Sequence, residues 1–280
     1  MKRRRFLSIA AGAALATSAL AQRKHVASPR VALVLGGGGC RGYGHVGVIR
    51  ALEKNGVKPD LVVGSSAGAL VGALYAAGMR ADELERYGQR MSPNILRDWV
   101  FPKLGIFGGG AIGRFVADRV GARTIESLPT RFAAVATDLK TGEMVVLDRG
   151  DLGLAVQAST SIPGLVEPAR IGGRTLVDGN LASPVPVDAA RRLGAKRVIA
   201  VDVTFPPEQA DLEDAYDALY QAFSILTRRL ALEERERADL LIEPKLPEHH
   251  DMSKATLKAL VDAGERAAFE ALPKLRALFG

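Results

Sequence analysis

Short apolar runs alternate with longer amphipathic stretches along most of this chain. Val31-Ala32-Leu33-Val34-Leu35 is a continuous apolar run, and Leu61-Val62-Val63 is a second, bounded by Asp60 and Gly64. Runs of this length and β-branched content read as buried strands. Arg131 to Thr137, Glu143 to Leu147, Arg174 to Val177, Arg197 to Val201 and Asp239 to Ile242 read the same way. Between them, helical periodicity covers Tyr43 to about Lys54, Ala67 to Ala77, Ala81 to Arg90, Asp151 to Ser159, Pro186 to Leu193, Leu212 to Arg237 and Lys254 to Leu278. The helix Leu212 to Arg237 carries Ala215, Leu219, Phe223, Leu226 and Leu230 on one stripe, the pattern of an amphipathic helix. Strands alternating with helices predict an α/β fold with a mainly parallel central sheet covered on both faces. One tract, Ser92 to Gly113, is irregular and holds Trp99, Phe101, Phe107 and three successive glycines. It reads either as loop plus ordinary core or as a lipid-facing cover over a site.

Composition alters this picture mainly at the start of the chain. Lys2, Arg3, Arg4 and Arg5 precede an uncharged run from Phe6 to Gln22 that ends in the small-residue site Ala19-Leu20-Ala21. That order is a basic region, an apolar region and a cleavage site, so residues 1–21 read as an export signal. Arg3-Arg4-Arg5-Phe6-Leu7 also resembles a twin-arginine signal, which points to export into the periplasm. Cleavage after Ala21 would remove four positive and no negative charges from the formal +7, leaving +3. A balance this mild does not support a nucleic-acid footprint. With a single cysteine, Cys40, no internal disulfide forms. Neither a metal-spaced Cys/His cluster nor a P-loop is present, and no linker or repeat divides residues 22–280, which read as one domain.

Two glycine-bearing loops hold the candidate chemistry. Gly64-Ser65-Ser66-Ala67-Gly68 is a G-x-S-x-G match between a strand and a helix. In that context the serine sits on a strained turn with its hydroxyl exposed, and small neighbours make room for it. The positive end of the following helix favours negative charge there. Ser66 is therefore the candidate nucleophile. After the preceding strand comes Gly36-Gly37-Gly38-Gly39-Cys40-Arg41-Gly42, whose unshielded N–H groups suit an anion. It fits the dinucleotide fingerprint G-x-G-x-x-G, but the acidic residue due at the end of the next strand is replaced by Ser66. The competing reading is an oxyanion hole that meets Ser66 at the carboxyl edge of the sheet. Cys40 reads as a small apolar filler, and His45, on one face with Ile49 and Leu52, as a satisfied, partly buried histidine.

A nucleophilic serine needs a base. His249 and His250 follow the last strand, where an α/β-hydrolase would have its histidine, with Asp178 or Asp202 as third member. Against that triad, Pro247-Glu248-His249-His250-Asp251 is a polar, turn-like segment. Asp178, at a strand end before Gly179, is by itself either a turn-capping residue or a catalytic carboxylate.

The glycine loop, the G-x-S-x-G turn and Asp178-Gly179 after a strand, in that order, resemble the patatin-like phospholipases. Ala158-Ser159-Thr160-Ser161-Ile162-Pro163-Gly164 and Ser183-Pro184-Val185-Pro186-Val187 look like segments of the same family, so the likeness covers roughly Val31 to Thr204. The resemblance implies a three-layer α/β/α fold and a serine acyl hydrolase acting on lipid or lysolipid esters without cofactor or metal. It also implies a Ser-Asp dyad: Ser66 as nucleophile, Asp178 as base, and the N–H groups of Gly37, Gly38 and Gly39 as oxyanion donors. Arg41 would either steer a phosphate head group or hold the loop. Transient contact with a membrane surface follows from such a substrate, whereas a non-catalytic lipid-binding scaffold is the rival of another class. The sequence departs from the family at Asn180, where Gly or Ala is usual.

Overall fold

The computed structural model describes residues 30–90, 104–121, 123–209, 212–213, 215–247 and 253–279. The expected export signal, Trp99, Phe101, His249 and His250 lie outside these residues. The chain runs through β1 (Val31–Leu35), α1 (Tyr43–Lys54), β2 (Leu61–Ser65), α2 (Ala67–Ala76), α3 (Ala81–Gly88), β3 (Gly105–Phe107) and α4 (Gly110–Val120). Then come β4 (Arg131–Asp138), β5 (Met144–Leu147), α5 (Leu152–Thr160), β6 (Gly164–Val166), β7 (Ala169–Ile171) and β8 (Arg174–Asp178). The last elements are α6 (Val187–Arg192), β9 (Arg197–Val201), α7 (Ala215–Arg235), β10 (Leu240–Ile242) and α8 (Lys254–Phe279). Among the described residues no helix is long and apolar enough to cross a membrane.

The main sheet has the order β10-β9-β1-β2-β4-β8-β7, with β5 also paired to β4. From β10 to β4 every pairing is parallel. Beyond β4 the sheet turns antiparallel, through β5, β8 and β7. β1 is apolar at every position because it is buried on both faces, as an interior parallel strand must be. Its side chains still alternate: Val31, Leu33 and Leu35 enter a large core with α1, α2 and α8, while Ala32 and Val34 enter a smaller one with α6 and Ala231 of α7. Helices thus cover both faces of an α/β/α sandwich.

Two expectations need correction. The tract read as irregular contains β3, paired in parallel with β6 outside the main sheet, and the start of α4. The stripe on α7 does not face the core: Leu219 and Leu226 are 74% and 57% exposed. The buried side of α7 is Ser224, Thr227, Ala231 and Glu234. Its polar members have partners to satisfy there, with Glu234 accepting from Ser183 Oγ and, at 2.9 Å, from Val185 N.

Candidate active site

β2 ends at Ser65 and α2 begins at Ala67, so the chain reverses within one residue. That residue is Ser66, at φ 51° and ψ −121°, the only non-glycine at positive φ among the described residues. Such a conformation costs about 1–3 kcal/mol and persists only where the surroundings enforce it. They do: a Cβ on Gly64 would lie 2.4 Å from Gly68 O, and one on Gly68 would lie 2.0 Å from Leu35 O. The strand, the helix and β1 can therefore meet only with glycine at both sites. Ser66 N donates to Ser159 Oγ at 2.9 Å, and Ser159 Oγ donates to Val135 O at 2.6 Å. This relay ties the elbow to β4.

Asp178 closes β8, which is separated from β2 by β4: Ser65 pairs with Val135, and Ala136 with Asp178. Neighbouring rows put the two side chains on the same edge. Ser66 Oγ donates to Asp178 Oδ2 at 2.7 Å, and Asn180 N donates to Oδ1 at 2.9 Å. The backbone of Asp178 is pinned from both sides, its N–H donating to Ser161 O and its carbonyl accepting from Thr137 Oγ1, each at 2.8 Å. The carboxyl is fully buried. Desolvation pushes its pKa up to about 7, against the lowering effect of the bonds from Asn180 N and Ser66. A carboxylate that titrates near neutrality can exchange a proton with a serine hydroxyl, which an ordinary surface aspartate does poorly.

The glycine loop lies across the same cavity, lined by Gly37, Gly38 and Gly39 together with Ser66, Asp178 and Asn180. Gly36 N donates to Val201 O at 3.0 Å and Gly37 N to Pro184 O at 2.9 Å. The N–H of Gly37 is thereby engaged within the protein, so the expected set of three backbone donors narrows to Gly38 and Gly39. His45 is completely buried rather than partly so. Desolvation lowers its pKa to about 4, so the ring is neutral, and Nε2 donates to Gly36 O at 2.7 Å. It braces the loop from beneath.

Arg41 is buried, with Nε donating to Val203 O at 3.2 Å and its guanidinium 5.8 Å from the Phe205 ring centroid. These contacts tie it to the segment after β9. Asp202, the alternative third member of a triad, accepts from Arg228 and Arg235 at 3.0 Å each and from Thr204 N at 2.9 Å. A buried carboxylate between two guanidiniums is a structural ion cluster. Among the described residues no cluster of His, Cys, Asp and Glu could hold a metal.

Sequence reasoning did not bring Ser159, Asn180, Tyr220 or Phe223 to the site. The first fixes the elbow and the others line the cavity. Ser159 lies inside a helix, where nothing local separates a tertiary hydrogen bond from a solvated serine.

A family model described as patatin-like phospholipase matches residues 33–191, which include the glycine loop, the G-x-S-x-G turn and Asp178-Gly179. An uncharacterised NTE family protein of Mycobacterium tuberculosis is 41% identical over 179 residues, 63% of this chain and 49% of its own length. A second NTE family protein of that organism is 31% identical over 92% of this chain and 49% of its own. Patatin-like phospholipase domain-containing protein 6 of Mus musculus is 36% identical over 71% of this chain and 15% of its own. The chain therefore spans about half the length of these mycobacterial relatives or less of the mouse one. A strained serine on a strand–helix elbow, a glycine loop after the preceding strand and a buried aspartate at a later strand end coincide with a match over more than half the sequence: the chain belongs to the patatin-like phospholipase family.

Proposed function

We propose that the protein hydrolyses acyl esters of lipids through a Ser66–Asp178 dyad. The observation that carries this reading is the 2.7 Å hydrogen bond from a serine held at positive φ to a fully buried carboxylate. Ser66 Oγ attacks the acyl carbonyl carbon, its proton passes to Asp178 Oδ2, and the carbonyl π pair moves onto oxygen. The N–H groups of Gly38 and Gly39, residues that line the cavity, receive that charge in this reading, and one such donor is worth about 3–4 kcal/mol of barrier. Collapse expels the alcohol, which leaves with the proton from Asp178, and an acyl-serine remains. Water then attacks this ester, gives its proton to Asp178, and a second collapse returns the hydrogen to Ser66 as the fatty acid departs. The raised pKa of Asp178 supports its acting as base and acid in turn.

A lipid substrate is supported by family membership and by the aromatic wall of the cavity, Phe205, Tyr220 and Phe223. Contact with a lipid surface belongs to the same reading. The helix that carries Tyr220 and Phe223 also exposes Leu219, Ile225 and Leu226, and no residue from Ala218 to Thr227 is charged.

The test is turnover of a short-chain p-nitrophenyl ester and of a phospholipid by the protein and three variants. Ser66→Ala and Asp178→Asn are each expected to lose at least about a thousandfold in kcat, as removal of one member of a catalytic unit does. The double variant His249→Ala with His250→Ala is expected to keep wild-type turnover. Loss in the folded histidine variant would replace the dyad by a triad, and no turnover by wild type on either ester would favour the scaffold.

A further inference from the structure

Donors on the cavity wall are mostly committed inside the protein. Gly37 N is bound to Pro184 O and Ser66 N to Ser159 Oγ. The hydroxyls of Thr204, Ser224 and Thr227 donate to Asp202 Oδ1, Tyr220 O and Ser224 O. Asn180 differs. Its backbone N–H donates to Asp178 Oδ1 at 2.9 Å and its Oδ1 accepts from Ser65 Oγ at 3.0 Å, yet Nδ2 makes no hydrogen bond among the described residues. Ser65 is fully buried, and Oδ1 is the acceptor its hydroxyl uses, which sets the amide with Nδ2 as the remaining donor.

The amide also lies against the glycine loop, in the cavity that Ser66 lines. A Cβ built on Gly37 would fall 2.0 Å from Asn180 Oδ1 and 2.3 Å from Nδ2, so the amide rests directly on the Cα of the glycine loop. Only glycine at 37 admits it. Asn180 is 6% exposed and lines the same cavity as Ser66 and Gly38. Two of its atoms are thus fixed by the partners of the dyad, Ser65 beside the nucleophile and Asp178 itself. A third atom, a preorganised donor, stands beside the loop whose Gly37 N–H is occupied.

We propose that Asn180 is a catalytic residue whose Nδ2–H donates to the acyl carbonyl oxygen, and more strongly to the oxyanion, alongside the N–H groups of Gly38 and Gly39. This rests on the hydrolase reading above. It makes the hole a mixed one, backbone on one side and side-chain amide on the other, with the amide standing in for the engaged N–H of Gly37. A preorganised side-chain donor acts on developing charge, so its loss lowers kcat more than it raises KM.

The experiment compares wild type, Asn180→Ala, Asn180→Asp and Ser66→Ala on a soluble p-nitrophenyl ester. Beside turnover it measures inhibition by an alkyl trifluoromethyl ketone, which forms an oxyanion on Ser66, and by an ether lipid that has no carbonyl. Asn180→Asp keeps Oδ1 for Ser65 and puts a carboxyl oxygen, and with it a charge, where the donor was, so it serves where the alanine variant does not fold and is read through its ketone-to-ether-lipid ratio. Expected is a loss of about 10²–10³ in kcat for either folded variant. Ketone affinity should fall in parallel, and ether-lipid affinity should stay within about threefold. Turnover within about threefold of wild type, or equal losses toward ketone and ether lipid, would overturn the proposal and leave Asn180 a packing residue. If Ser66→Ala keeps wild-type turnover, the hydrolase mechanism falls and this inference with it. If Ser66→Ala is inactive and Asn180→Ala is unimpaired, the inference falls alone.

Discussion

Asp178 binds together activity and pH at the scale of single residues. Its carboxyl must be ionised to accept the serine proton, and burial holds its pKa near 7. Since kcat/KM reports the free enzyme, log kcat/KM should climb with unit slope as pH rises and level off above a break near 7. An unperturbed histidine would break close by, so position alone does not identify the base. The double variant His249→Ala with His250→Ala separates them: the break persists unchanged if it belongs to Asp178 and vanishes with the activity if it belongs to a histidine. Ser66 stands out in the sequence as a candidate because it sits where a strand meets a glycine turn; Asp178 sits in a similar place, but only the family resemblance tells its role from that of a turn cap. The state of Gly37 is not legible in the sequence. Its N–H is engaged by Pro184 O, an acceptor 147 positions later in the chain, and no local pattern announces such a pairing. Asn180 stands out in the sequence only as a departure, and its meaning comes from Ser65 and Gly37, both brought to it by the sheet.

Among the elements, α7 shows where periodicity misleads. Its apolar stripe is real, but Leu219 and Leu226 point outward, while Ser224, Thr227 and Glu234 are buried. The inner face of α7 borders the active-site cavity and the Ser183–Val185 loop, so the polar groups it meets demand polar partners. Buried strands such as β1, apolar throughout, and β2, apolar over Leu61 to Val63, were legible as apolar runs, whereas β6 and β7, three residues each, are too short to leave a period. An exposed leucine face on the helix that also lines the cavity has a measurable use under the proposed function. Inserting a leucine side chain fully into an apolar phase is worth about 1.5–3 kcal/mol, and two should shift partitioning well over tenfold. Leu219→Asp combined with Leu226→Asp should therefore lower hydrolysis of vesicle-presented phospholipid more than tenfold and leave a soluble ester within twofold. Both residues are surface-exposed, so Tm should hardly move. Equal losses on both substrates would show that the helix serves the cavity alone.

At the level of the whole molecule, the sheet puts a stability penalty at the edge that carries the proposed dyad. The alternation of strands and helices made the parallel half predictable, but the antiparallel turn beyond β4 was not. Strand direction is set by connection: β5 follows β4 through the short turn at Lys140-Thr141-Gly142, but β8 returns to β4 by a route that apolar runs do not encode. That return is what buries Asp178 against the elbow. With a pKa raised from 3.8 to about 7, the native state binds more protons than the unfolded chain between those values. Stability from this group is therefore intact below about pH 4, falls as pH rises through the window, and carries the full penalty above pH 7, of order 4 kcal/mol at most. Glu234, likewise raised to about 7 by burial, adds to the same decline. Asp178→Asn can keep its oxygen for Asn180 N, present Nδ2–H to Ser66 Oγ, which can accept it, and cannot ionise, so it removes one of the two contributions. Urea unfolding should show this inactive variant more stable than wild type at pH 8, by more than at pH 5, with a corresponding Tm gain of several degrees. A variant no more stable than wild type at pH 8 would mean that Asp178 is solvated when ionised, and would remove the physical basis for its action as a base.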